Sequence, residues 1–449
     1  MPIFVRLEKY LFYFLFFAIP FQTRKILWYQ SWSFNEWQAI FIYGTDIVLA
    51  LLFVFWIFNK VKVEIRGYDY FLFILILCSV ISLKNSSSYV LGLYNVLKLA
   101  EFVIFYFYLK NYAVYKFGIS GAMKALVAGG LFQAFVAIVQ FVKQSSLGLR
   151  LLGESVIGPD LVGIASFFNT KGEKIIRAYG TTPHPNVLAT YLFLAIFSFY
   201  FIYFYFYKDK KHHWRNECLI WAGYLFLLFA LFFTFARVVV FLWLAGFILR
   251  SLLVLFKDNI RKISFASEEN KLKLLKILVS SIVAIVLFGA LYWPEVLSRI
   301  KISSGEEAVQ LRIFYNKESL QTLNWFGVGP GEFVNWLMIK EPNLSRNLYQ
   351  PVHNIYLLIY SEIGIVGISA FILFLLFLIK DFVVSTKIDK LHHYSFLIIF
   401  LSLLFMGLFD HFLWTLQQGR FMFWLVCALL ASTQHLTFVN NSAIITKSD

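Results

Sequence analysis

The chain has 449 residues, of which 60% are apolar and only 14% charged, with a formal net charge of +15. Soluble domains average about 45–50% apolar and 25% charged residues, so this composition excludes an ordinary soluble globular protein. The basic excess falls in short clusters between apolar runs, which is how membrane proteins encode orientation, and this argues against nucleic-acid binding.

Apolar stretches centre near residues 4–21, 37–58, 69–83, 90–109, 122–142, 187–207, 218–234, 238–256, 274–292, 354–379, 394–411 and 419–434. Segments of about 17–25 apolar residues cross a bilayer as helices, which predicts an all-α polytopic membrane protein with about 12 transmembrane helices. Residues 1–449 read as a single integral membrane domain. The first stretch carries Arg6 and Lys9 near its start and is followed by Gln22-Thr23-Arg24-Lys25. No small-residue cleavage site follows it, so it reads as a retained helix rather than a signal peptide.

Alternate short loops are basic, at residues 60–66, 110–124, 208–215, 257–276 and 380–390. The positive-inside rule then places these loops and both termini in the cytoplasm. Two long segments fall on the outer face in this orientation: a first outer loop, 143–186, and a second, 293–352, between helices 9 and 10. Connections of this length are commonly functional or disordered. Gly and aromatic residues are mixed in Trp325-Phe326-Gly327-Val328-Gly329-Pro330-Gly331, so the second loop is expected to be partly folded. Cys78, Cys218 and Cys427 lie in apolar runs without a second Cys or a His at ligand spacing, and suggest neither a disulfide frame nor a metal site.

The polar signals converge on the outer side. His353 and Asn354 stand where the second loop meets the tenth span, and His353, Leu357 and Gly364 fall on one helical stripe at about 100° per residue. Leu357 and Gly364 are therefore expected to pack on a neighbouring helix and to aim the imidazole. Arg237, in Thr234-Phe235-Ala236-Arg237-Val238, sits between the seventh and eighth spans with hardly any loop around it. An arginine at membrane depth either snorkels to headgroups or is functional. Arg312 lies in the second loop, and Arg177 opens the stretch Arg177-Ala178-Tyr179-Gly180-Thr181-Thr182-Pro183-His184-Pro185-Asn186, which also reads as a proline-braced turn. Asp410 is placed either to hold an arginine of the site or to make a local contact with Arg420. Several arginines and a histidine on one face suit an anionic leaving group with a base beside it.

This pattern resembles the O-antigen ligase and polymerase superfamily of bacterial membrane glycosyltransferases of the GT-C type. The resemblance rests on His-Asn-x-x-Leu-(x)6-Gly at His353 to Gly364, on the arginine after a helix end at Arg237, and on Arg312 followed by Gly327-Val328-Gly329. The segments at Arg177 to Asn186 and at Asp410-His411 to Gly419 are also similar. The chain departs from the frequent Ser-Arg-Gly-like pattern with Ala236-Arg237-Val238. The resemblance implies a multi-pass protein of the bacterial plasma membrane that transfers a glycan from an undecaprenyl-pyrophosphate carrier to an acceptor hydroxyl of a glycan, lipid or protein, without a metal ion or other cofactor. In that reading His353 is the base, with His184 and His411 as rivals. Arg237, Arg312 and Arg177 bind the donor pyrophosphate, and Asn354 and Asp410 support them. Fixed guanidinium groups can hold such a leaving group in place of a divalent cation. The nearest alternative is a polymerase that extends the carrier-linked chain. A lipid-linked-sugar flippase or transporter is an alternative of another class, to which Lys98 and Glu101 in the fourth span point unless they simply pair.

Overall fold

The computed structural model describes residues 3–30, 34–205, 214–260, 268–300, 307–385 and 391–432. The basic clusters expected within 206–213, 261–267 and 386–390 lie outside the described residues. Each of the twelve apolar stretches holds a helix, and the described strands form only two two-stranded antiparallel hairpins. Among the described residues, six helical segments are long and apolar enough to cross a membrane: Gly67–Asn85, Tyr89–Phe117, Ile119–Lys143, Pro185–Phe204, Glu269–Leu291 and Ile355–Val384. Gly44–Phe58, Glu217–Phe233 and Tyr394–Met406 are shorter apolar helices. The chain is thus a predominantly helical, multi-pass membrane protein.

The stretch 37–58 is not helical throughout. Its first residues form a 3-10 turn, Glu36–Gln38, and the strand Ala39–Tyr43, which pairs antiparallel with Arg24–Tyr29. The helix Gly44–Phe58 starts only where the Asp46 carboxylate accepts the Tyr43 N–H at 3.0 Å. A side chain that caps the first free amide in this way ends the helix on that side. The first long segment holds the hairpin Ser166–Phe168 with Lys174–Ile176, and the second holds the helices Trp293–Ile300, Glu307–Leu320 and Phe333–Lys340.

The described residues cluster into two compact units, one of residues 1–23, 117–302 and 388–402, the other of 24–116, 303–387 and 403–449. In the first unit, two buried amides on the helix Ile119–Lys143 fix the loop that leads to Pro185. Gln140 Oε1 accepts the N–H groups of Tyr179 and Gly180 at 3.1 and 2.8 Å, and its Nε2 donates to Glu154 at 2.7 Å. Gln133 receives the Thr181 N–H at 2.9 Å and donates to the Thr181 hydroxyl at 2.8 Å. Buried main-chain donors need such partners, and here the helix side chains supply them. Gly180 has φ +61°, and a Cβ there would lie 2.4 Å from Gln133 Oε1, so the turn requires glycine. Pro185 then opens the helix Pro185–Tyr205, at the helix start where a missing N–H costs nothing.

The second unit is built on the helix Ile355–Ser385, which is broken at Gly364 by φ +83° and ψ −174°. In an unbroken helix the carbonyls of Ser361 and Glu362 would accept from Ile365 and Val366. Instead they accept the N–H groups of Val328 and Gly329 at 2.9 and 3.0 Å, while Ile365 and Val366 donate to the carbonyls of Asn324 and Trp325. The loop from Asn324 to Gly329 is thereby inserted into the helix's own bonding. A Cβ on Gly364 would lie 2.3 Å from the Trp325 carbonyl oxygen. The expected stripe from His353 to Gly364 is therefore interrupted, and Gly364 packs on this loop instead of on a neighbouring helix. Ser82 donates to the Glu362 carbonyl at 2.8 Å and Asn85 to that of Gly327 at 2.8 Å, which ties the helix Tyr70–Ser82 to the same junction.

Candidate functional site

In the second unit the polar cluster forms around His353. Asn354 is the cap of the helix that follows: its side-chain oxygen accepts from Tyr356 N at 2.9 Å and Leu357 N at 3.2 Å. The Ile355 N–H reaches the Gly407 carbonyl at 2.8 Å, and the Tyr356 hydroxyl reaches that of Leu404 at 2.8 Å. These bonds fix the backbone on which the imidazole stands. The ring itself stacks on Tyr315 at 5.6 Å and 17°, and meets the edge of His411 at 5.0 Å and 81°. His353 Nδ1 is buried without a hydrogen-bond partner.

Tyr315 is fully buried, donates to the Leu348 carbonyl at 2.5 Å, and is pushed up to about 12 by burial, so it stays neutral. Arg312 lies three residues earlier on the same helix, Glu307–Leu320, and so on the same face. Its Nε donates to the Phe409 carbonyl at 3.3 Å. Asp410 follows directly and accepts the His411 N–H at 2.8 Å. Arg420 donates to Trp414 O at 2.6 Å and to Asn95 Oδ1 at 3.3 Å. His411 Nδ1 is 2.7 Å from the Thr415 hydroxyl, and Trp37 lies edge-on to the His411 ring at 5.0 Å.

Burial holds His353 below the ordinary histidine value. The Asp410 charge opposes this, the Arg312 charge adds to it, and the Pro351 carbonyl again opposes it. The imidazole is therefore mainly neutral at pH 7 and able to accept a proton.

The other two expected arginines belong to the first unit, where the fold brings them to one corner. Arg177 Nε donates to the Thr234 carbonyl and Nη2 to Asn186 Oδ1, both at 2.6 Å. The Ala178 N–H reaches the Phe233 carbonyl at 3.0 Å. Phe235 takes φ +46°, in the left-handed region, and Arg237 then begins the helix Arg237–Ile260. Arg177 thus grips the turn that positions Arg237. His184, a rival base, accepts the Asn186 N–H on Nδ1 at 3.1 Å in the same corner.

Lys98 and Glu101, the signals for transport, are paired at 2.8 Å, and Lys98 also binds Asp46 at 2.6 Å. Sequence reasoning gave no role to Tyr315, Trp37 or Thr415. For Tyr315 the three-residue spacing from Arg312 was a usable signal. Trp37 and Thr415 are joined to the cluster only by tertiary contact.

No curated protein matches the chain. Residues 222–372, which include Arg237, Arg312, His353 and Asn354, match the family model described as O-antigen ligase. The resemblance carried by the histidine motif is thus borne out at the family level, and residues 222–372 form an O-antigen ligase domain.

Proposed function

We propose that the protein transfers a glycan from an undecaprenyl-pyrophosphate donor to an acceptor hydroxyl, as a ligase, at the outer face of the bacterial plasma membrane. The observation that carries this reading is a buried, neutral imidazole with an open Nδ1, set beside Arg312 inside the matched segment. His353 takes the hydroxyl proton as the acceptor oxygen bonds to the anomeric carbon. The anomeric C–O bond breaks, its electron pair leaves with the carrier pyrophosphate, and the configuration inverts. Arg312 and Arg237 stabilise the leaving pyrophosphate. Arg177 spends two donors on Thr234 and Asn186, so its first role is to hold Arg237's turn, with pyrophosphate binding as a secondary one.

The test is release of carrier pyrophosphate by purified protein in lipid, supplied with a defined donor and candidate acceptors. Acceptor-dependent release with a new glycosidic product is expected, and His353→Ala should lose about 10²- to 10⁴-fold in rate. Undiminished turnover in a folded His353→Ala variant would refute the assignment. A product that stays on the carrier and grows in regular blocks would make the protein a polymerase instead.

A further inference from the structure

The second unit contains a cavity that the chemistry above does not use. Its floor and walls include Tyr94, Asn95, Lys98, Trp414, Gln417 and Arg420. Two further lining residues, Pro351 and Thr415, also belong to the imidazole cluster: Pro351 is two residues from His353, and Thr415 is bonded to His411.

The polar groups on this wall are not all satisfied. Gln417 is 2% exposed; its Nε2 donates to Asp46 and Thr45, while its Oε1 is buried and has no hydrogen-bond partner. An orphaned buried acceptor is costly and asks for a donor. Arg420 is held by two neutral oxygens, Trp414 O and Asn95 Oδ1, and a guanidinium has five N–H donors. One residue thus lacks a donor and its neighbour has donors to spare, between the aromatic walls of Tyr94 and Trp414.

Charge decides between the two parts of a glycosyl-transfer substrate. Lys98 is neutralised by Asp46 and Glu101, and Arg24 on the rim is paired with Glu36. Glu362 also lines the cavity. A pyrophosphate needs several uncompensated cations, which this cavity does not offer. A sugar ring suits it: one hydroxyl donates to Gln417 Oε1, another accepts from Arg420, and the apolar ring face lies on an aromatic side chain.

We propose that this cavity is the acceptor-sugar subsite, in which Gln417 and Arg420 read the hydroxyls of an uncharged hexopyranose. The proposal rests on the glycosyltransferase reading, and it explains how an acceptor hydroxyl is brought beside His353.

The test uses the full chain in lipid nanodiscs with a panel of methyl hexopyranosides as probes, observed by saturation-transfer NMR. Saturable binding of at least one glycoside to the wild type is expected. Gln417→Leu and Arg420→Lys should each weaken it roughly tenfold, the loss of one good hydrogen bond. Gel filtration verifies folding, and if one pocket variant fails to fold the other carries the comparison. Absence of saturable binding, unchanged affinity in the folded pocket variants, or displacement of the glycoside by inorganic pyrophosphate would each overturn the proposal. Transfer measured on the same samples separates the two readings: a His353→Ala protein that binds sugar and still transfers it normally refutes the catalytic assignment but leaves the subsite standing.

Discussion

At His353 two charges of opposite sign compete, and this makes its proposed role as base measurable. In the proposed mechanism the neutral imidazole is the reactive form, so the rate is expected to fall as pH drops through its pKa, below the usual value of about 6.5. Arg312 disfavours the imidazolium, so Arg312→Gln raises the pKa and moves the acid limb of kcat/KM to higher pH. Asp410 favours it, so Asp410→Asn moves the limb to lower pH. Profiles that shift in the same direction, or not at all, would detach these neighbours from the base. Arg237 tests geometry rather than charge. Arg237→Lys keeps the cation but loses the planar fork, and should cost about 1.5–3 kcal/mol of transition-state stabilisation with expression unchanged. Wild-type turnover in that variant would remove Arg237 from the chemistry.

The helices were legible because hydropathy is local: each apolar stretch proved to contain one. Boundaries were legible only where a local device marks them, as Asn354 does at the head of Ile355–Ser385. The strand Ala39–Tyr43 was missed because its apolar run merges with that of Gly44–Phe58, and only pairing with Arg24–Tyr29 separates the two. The break at Gly364 was also hidden, since a glycine in an apolar run looks like a packing site for another helix. Gly364→Ala is the corresponding test. The left-handed backbone alone costs a non-glycine residue about 1–3 kcal/mol, and the overlap with the Trp325 carbonyl adds to it. A clear fall in thermal stability is expected in detergent, whereas an unchanged midpoint would mean that the helix closes over the break without cost.

Across the whole molecule, the long-range polar contacts were the part the sequence did not disclose. Gln140 with Tyr179 and Gly180, Tyr315 with His353, and Gln417 with Asp46 each join distant parts of the chain, and no periodicity reports them. The histidine and arginine positions were readable from their motif, but their assignment to two units was not. Lys110 shows how strongly such a contact can bind the fold. It pairs with Asp69, which is fully buried and also accepts from the Tyr106 hydroxyl at 2.8 Å and Arg66 N at 2.7 Å. Lys110→Met leaves that carboxylate without its cation and should destabilise the protein by about 3–5 kcal/mol. Asp69→Asn combined with Lys110→Met removes both charges and should recover much of the loss. A double variant no better than the single one would show that packing, not charge, is what Lys110 contributes.

The junction at Gly364 also bears on the order of synthesis. The segment from Asn324 to Gly329 leaves the ribosome before the residues whose carbonyls and amides it will engage. Until Ser361 to Val366 arrive, the amides of Val328 and Gly329 have only water or the translocation machinery as partners. The helix cannot reach its final bonding by winding up alone, because four of its bonds at the break are made to that waiting loop. Val328 and Gly329 should therefore gain protection from hydrogen exchange in the same kinetic step as Ile365 and Val366, although they are made earlier.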